Sequence, residues 1–201
     1  MKMIYLLRHG ETDIREKKKY FIGQTDLPLS IEGIRQAYCR QKELSDAVFD
    51  RIYCSDLRRA CETAQILAEN RQTSIHTNPG LREIYLGEWE GLSMSQVRTD
   101  FPQEWRKRGE NMAEYRPPGG ESFEDLYARV IPIFEDIVHK SGDNCLIVAH
   151  AGVNRMILCR ILEMPVANLF RLRQDYLGMN IIDCKDSIPK LVSMNIRIPE
   201  Q

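Results

Sequence analysis

The run Asn144-Cys145-Leu146-Ile147-Val148-Ala149 does most to narrow what this chain can fold into. It is continuously apolar from Cys145 on, where an alternating pattern would mark a half-exposed strand. Such a strand needs cover on both faces, the environment of an interior strand in a parallel sheet with helices on either side. His150 ends it, and a helix opens near Gly152. Residues 3–8 form a second buried strand. Elsewhere short apolar runs alternate with amphipathic stretches. Ser30 caps a helix running to about Leu44, with Ile34, Tyr38 and Leu44 on one face. Residues 51–54 form a short strand. Ser55 then caps a helix with Ala60, Ala64 and Leu67 inward. Residues 73–77 form another strand. Ser122 caps a long helix with Phe123, Leu126, Val130, Phe134 and Ile137 at helical spacing, and Pro132 inside it predicts a kink or a break. Residues 179–184 and 189–195 read as a closing pair of strands. The alternation predicts an α/β fold.

Residues 84–118 break this rhythm. They hold Trp89, Met94, Phe101, Trp105 and Pro117-Pro118 without a clear strand. They read as an insertion, which makes the 201 residues one domain carrying an extra segment. At 43% hydrophobic residues there is material for a full core, and the net charge of −1 gives no global field for nucleic acid or membrane. The early apolar run Met3–Leu7 stops at Arg8, too short for a signal-peptide core, so a cytoplasmic protein is expected. Six cysteines share no CxxC spacing and read as reduced small hydrophobes.

In open α/β sheets, ligands bind outside the carboxyl ends of the strands. The first strand delivers Arg8 and His9 there. The second is followed by Arg58, in the first turn of its helix. The third leads through Pro79-Gly80 to Arg82 and Glu83. The fourth delivers His150. Each of these alone has an ordinary structural reading: a strand-end pair, a solvated helix charge, a surface ion pair, a satisfied histidine. Gathered at one edge, they suit an anionic tetrahedral substrate. Arginine offers a planar fork to two oxygens, neutral imidazole can attack phosphorus, and a carboxyl can protonate a leaving oxygen and later deprotonate water. The helix opening at Ala151-Gly152-Val153 adds backbone N–H groups and the positive end of its dipole.

Leu7-Arg8-His9-Gly10-Glu11-Thr12 resembles the signature of the histidine phosphatase superfamily, the phosphoglycerate mutase-like proteins. The resemblance continues through Gly23–Ser30, Cys54-Ser55-Asp56-Leu57-Arg58-Arg59-Ala60, Leu81-Arg82-Glu83, Gly87-Glu88-Trp89-Glu90-Gly91 and Ala149-His150-Ala151-Gly152. It implies a three-layer α/β/α sandwich with a mostly parallel sheet, and an insertion that caps the site and sets substrate choice. It implies that His9 becomes phosphohistidine, that Arg8, Arg58 and His150 hold phosphoryl oxygens, and that Glu83 is general acid and then base. Gly23, Gln24 and Ala151 become substrate-binding positions, and no metal or other cofactor is required. Many members carry Asn where this chain has Arg15, so Arg15 is either an extra cation on the substrate or a solvent-facing residue. Lys17-Lys18-Lys19 reads as a solvated face.

The Gly87–Gly91 segment is similar to the small bacterial phosphatase branch. Residues 149–155 with Arg173-Gln174-Asp175-Tyr176 resemble α-ribazole phosphatases, which implies α-ribazole 5′-phosphate as substrate. Trp89, Phe101 and Trp105 then form either an aromatic wall for a planar base or the small core of the insertion. Arg106-Lys107-Arg108 keep a cofactor-dependent phosphoglycerate mutase open, because a carboxylate or second phosphate needs cations. A non-catalytic phosphate-binding regulator is the third reading. Loss of His9 or Glu83 would mark it, and both are present. The expected partner is a small phosphorylated metabolite, with neither nucleic acid nor membrane, and a homodimer stays open.

Overall fold

The computed structural model describes residues 2–14, 20–186 and 188–199. The expectations for Arg15 and Lys17–Lys19 lie outside the described residues.

Strands β1 (Met3–Arg8), β2 (Arg51–Cys54), β3 (Ile75–Thr77), β4 (Cys145–Ala149), β5 (Met179–Asp183) and β6 (Lys190–Ile196) form one sheet, ordered β3-β2-β4-β1-β5-β6. The first four in that order are parallel, and β5 runs antiparallel to both its neighbours. Every residue of β4 is buried, as its unbroken apolar run requires. Successive side chains of β1 and β4 serve opposite faces. Ile4, Leu6, Cys145 and Ile147 join one core with helices α5 (Phe123–Lys140) and α6 (Ala151–Ile161). Leu7, Leu146 and Val148 join the other core, with Ala60, Ala64 and Leu67 of α2 (Arg58–Ala68). Helix α1 (Ile31–Glu43) packs on α2 through Ala37 against Ile66. The result is the expected three-layer α/β/α sandwich. Among the described residues, no helix is long and apolar enough to cross a membrane.

Several local expectations change. Ser30 caps α1, its side chain accepting from the Gly33 N–H. The inner face of that helix, however, is Gly33, Ala37 and Arg40, while Ile34 and Tyr38 are exposed. The turn after β1 lies against the first turn of α1. A Cβ at Gly33 would sit 2.0 Å from the Glu11 carbonyl oxygen, so only glycine fits at this point of the buried face, where a bulky apolar residue would otherwise mark it. Ser55 does not cap α2. Leu57 occupies that position, and the Ser55 hydroxyl accepts from its N–H at 3.3 Å. Helix α5 has a Ser122–Asp125 capping box and runs without a break through Pro132. That proline is exposed, where solvent can serve the carbonyl its missing N–H leaves free. Residues 84–118 carry no sheet strand. They form α3 (Met94–Asp100), α4 (Pro102–Glu110) and a short turn at Gly87–Trp89.

Candidate active site

Parallel register places the site. Arg8 pairs with Ala149, so the next residues, His9 and His150, leave adjacent strands side by side. The His9 N–H donates to the Ala149 carbonyl at 3.0 Å, and the two imidazole centroids lie 5.0 Å apart. Both rings are buried. Nδ1 of His9 lies 2.7 Å from the Gly10 carbonyl oxygen. A carbonyl only accepts, so Nδ1 carries the proton and Nε2 keeps its lone pair. Thr63 holds the turn. Its hydroxyl accepts from the Gly10 N–H at 3.1 Å and donates to the Arg59 carbonyl at 2.7 Å.

Burial, then the positive charges of Arg8 and Arg59, push the His9 pKa well below the ordinary histidine value. Burial, then Arg59, does the same for His150. Both imidazoles are therefore neutral in the folded protein near neutral pH. In the unfolded chain they titrate near 6.5. Below that pH the unfolded state takes up protons that the folded state refuses. This contribution to stability is present above about 6.5 and is lost as pH falls toward the depressed folded values, at roughly 1 kcal/mol per histidine over the first unit. In phosphate-free buffer, the urea midpoint is expected to drop between pH 7 and 5.5, and to drop less in His150→Gln. A wild-type midpoint flat across that range would contradict buried neutral histidines.

Arg8 donates from Nη1 to the Gln174 carbonyl at 2.9 Å, and its Nε is buried without a partner among the described residues. Both ring nitrogens of His150 are likewise buried with no hydrogen-bond partner among the described residues. Buried polar groups are rarely left unsatisfied. Arg8 and His9 line one corner of the cleft, while His150 is fully buried beside His9 and does not itself line it. Glu83 lies across the corner. Its carboxylate accepts from the Ile84 N–H through Oε1 and the Gly152 N–H through Oε2, both at 2.9 Å. A Cβ on Gly152 would lie 2.2 Å from Oε1, so glycine there admits the carboxylate.

The sequence picked the wrong one of two adjacent arginines. The Arg58 side chain is 60% exposed and pairs with Glu62 one turn on, at 2.6 Å. Arg59 is 2% exposed, lines the cleft, and donates to the carbonyls of Gly23 (2.7 Å) and Thr25 (2.8 Å). Helix phase decides between them, because Arg59 and Thr63 share the inward stripe while Arg58 and Glu62 share the outward one. Arg82, expected at the same edge, is paired instead with Asp56 through a two-pronged bond.

Gly23 lines the cleft with φ +48°, and a Cβ there would collide with Glu90 Oε1 at 1.9 Å. Gln24 lies behind the wall, its Nε2 donating to the Glu83 carbonyl at 3.0 Å. Glu90 organises this segment. Oε1 accepts from the N–H groups of Gln24 (2.8 Å) and Leu86 (3.1 Å), and Oε2 accepts from the N–H (2.7 Å) and hydroxyl (2.6 Å) of Thr25. Ala151 opens α6 but does not line the cleft. Its neighbour Gly152 does, with its N–H engaged by Glu83.

The cleft holds about 460 Å³. Beyond the polar corner its walls are largely apolar, including Phe21, Leu86, Met94, Tyr115, Phe123 and Phe170. Trp89 is fully buried against Phe21, Phe101 and Tyr115, and none of Trp89, Phe101 and Trp105 lines the cleft. Trp89 and Phe101 pack together within residues 84–118 and Trp105 lies half-buried against Phe21, which overturns the aromatic-wall expectation for all three. Of the three basic residues in α4, Arg106 and Lys107 pair with acidic neighbours, and Arg108 alone reaches the cleft, beside the Phe21 and Trp105 rings. Arg59, Arg155 and Tyr176 also line the cleft; all three stand in segments that carried the resemblance, but none was given a role at the site. The inward helix stripe, with Glu62 one turn from Arg58 marking the outward one, is the signal that points to Arg59.

The profile of the histidine phosphatase superfamily (branch 1) matches residues 4–197. The adenosylcobalamin/alpha-ribazole phosphatase of Salmonella typhimurium is 31% identical over 195 residues, covering 96% of each chain. The glucosyl-3-phosphoglycerate phosphatase of Mycobacterium tuberculosis is 33% identical over 177 residues, 82% of this chain and 77% of that one. The crystal structure of the alpha-ribazole phosphatase from Shigella flexneri superposes with a TM-score of 0.90 at 28% identity, covering 99% of both chains. With its two buried histidines side by side at the carboxyl edge, the chain belongs to the histidine phosphatase superfamily, as a phosphoric monoester hydrolase.

Proposed function

We propose that this phosphatase works without metal through a phosphohistidine on His9, and that its natural substrate is α-ribazole 5′-phosphate. The observation that carries the mechanism is the buried, neutral His9 with Nδ1 on the Gly10 carbonyl, next to unpartnered donors on Arg8 and His150. Nε2 of His9 forms the bond to phosphorus as the bond to the leaving oxygen breaks, and Glu83 gives that oxygen a proton. Water then attacks the phosphohistidine, Glu83 takes a proton from it, and inorganic phosphate leaves with His9 restored. Arg8, Arg59 and His150 carry the charge on the transferring oxygens, the role a metal fills in other phosphoryl-transfer sites.

The names of the Salmonella and Shigella relatives support the substrate, and so does a cleft whose far wall is apolar and aromatic, suited to an uncharged planar base. Residues 84–118 act as a cap that selects the leaving group, on a single domain, and the protein works in the cytoplasm in assembling the cobalamin lower ligand. Arg108 favours a second reading, a phosphoglycerate-type substrate whose carboxylate meets that guanidinium.

A screen of metabolite phosphates with chelator present separates these. The expected result is phosphate release from a generic aryl phosphate that resists chelation, with the highest kcat/KM for α-ribazole 5′-phosphate. Interconversion of phosphoglycerates without phosphate release would establish a mutase. No turnover of any ester would leave the regulator.

A further inference from the structure

We propose that Tyr176 is a positioning residue for the reaction. The face of its ring holds the Arg8 guanidinium in the plane from which it grips the transferring phosphoryl group. The inference rests on the reading of Arg8 as a phosphate ligand and adds the element that aims it.

Arg8 ends a strand on a long side chain with many rotamers, so something must fix its planar head. The Arg8 guanidinium carbon lies 3.8 Å from the Tyr176 ring centroid, close enough to cover one face. Nη1 is pinned on the Gln174 carbonyl. The edge formed by Nε and Nη2 is then left over. Nε is buried without a partner, and Nη2 makes no hydrogen bond among the described residues. That edge is the one whose two parallel N–H groups match two oxygens of a phosphate. Ring and carbonyl together thus leave one orientation of the fork and one free edge. The ring also stands 5.7 Å from the His9 imidazole, so the same platform borders both Arg8 and His9.

The segment that carries Tyr176 is itself held firmly. Gln174 and Asn180 exchange two amide hydrogen bonds, of 3.0 and 2.9 Å, and Asn180 Nδ2 also donates to the Leu6 carbonyl in β1. The Asp175 N–H donates to Asn195 Oδ1 at 2.8 Å. The Leu177 carbonyl accepts from both Nε and Nη2 of the buried Arg40. Leu177 has φ +50°, a conformation a branched side chain adopts only where its surroundings impose it. A platform fixed this tightly suits alignment better than adaptable contact with varied leaving groups.

The test is a double-mutant cycle on Tyr176 and Arg8, read by calorimetric binding of inorganic phosphate and by kcat/KM on aryl phosphates with good and poor leaving groups. Tyr176→Leu is expected to weaken phosphate binding about tenfold and to lower kcat/KM by a similar factor whatever the leaving group, with an unchanged melting temperature. Tyr176→Phe keeps the ring and should stay within about twofold of wild type. In an Arg8→Lys background, where no planar head remains to be aligned, Tyr176→Leu should cost nothing further. The proposal is overturned if Tyr176→Phe is as impaired as Tyr176→Leu, if the loss depends on the leaving group while phosphate binding holds, or if the two substitutions are additive. If Tyr176→Leu melts early, the comparison of Tyr176→Phe with wild type, together with the cycle run on Tyr176→Met, decides in the same way. If Arg8→Ala binds phosphate like wild type, the platform falls together with the assignment of Arg8.

Discussion

Replacing His9 by alanine is expected to lower turnover by at least about 10⁴-fold, the scale on which a covalent nucleophile is lost. The acid-labile phosphoenzyme formed on rapid quenching of wild type should vanish with it. The fold should survive, because the strand pairing around position 9 is carried by backbone bonds, including the His9 N–H to Ala149. His150 cannot take over easily. Its ring follows the equivalent strand position and is buried, yet neither nitrogen has a carbonyl to fix the tautomer as Gly10 does for His9. Labelled phosphate trapped on the His9→Ala protein would move the nucleophile elsewhere and sink the assignment.

The second large effect separates two neighbours. Arg59→Ala is expected to cost about 10²–10³ in kcat/KM, as for loss of one fixed donor on developing charge. Arg58→Ala should change it less than about threefold, since an exposed i,i+4 pair contributes little. Arg59 also holds the Gly23 and Thr25 carbonyls, so part of its loss is a loosened loop. Arg59→Lys keeps the charge but not the fork. It should remain well below wild type, which distinguishes geometry from charge. Equal activity of the two alanine variants, or the reverse order, would return the role to Arg58.

What was legible in the sequence follows from where the physics is local. β1 and β4 announce themselves because strands covered on both faces must be apolar throughout, and their carboxyl ends place His9 and His150 by sheet geometry alone. Glu83 follows from the turn after β3. The choice between Arg58 and Arg59 needed helix phase, and the acidic Glu62 one turn from Arg58 was the available sign of a solvent face. The inner face of α1 was hidden because it consists of Gly33, where the Glu11 backbone approaches closely, with Ala37 and a buried Arg40 in place of bulky apolar residues. Trp89 was legible as important but not in which direction it faced. Arg155 and Tyr176 stood in segments that carried the resemblance, but their places in the cleft, like the contact of Asn180 with Leu6, depend on segments far apart in the chain.

Glu90 has a consequence for how this scaffold can be diversified. Its one carboxylate ties residues 84–90 to Gln24 and Thr25, and the carbonyls of Gly23 and Thr25 in turn hold Arg59. The front of the 84–118 segment therefore belongs mechanically to the turn at residues 23–25 and, through it, to Arg59. The interchangeable module starts only after Gly91, with α3, α4 and the turns that follow. A transplant cut there keeps the clamp, whereas one cut at residue 84 also severs the support of the Gly23 and Thr25 carbonyls that hold Arg59.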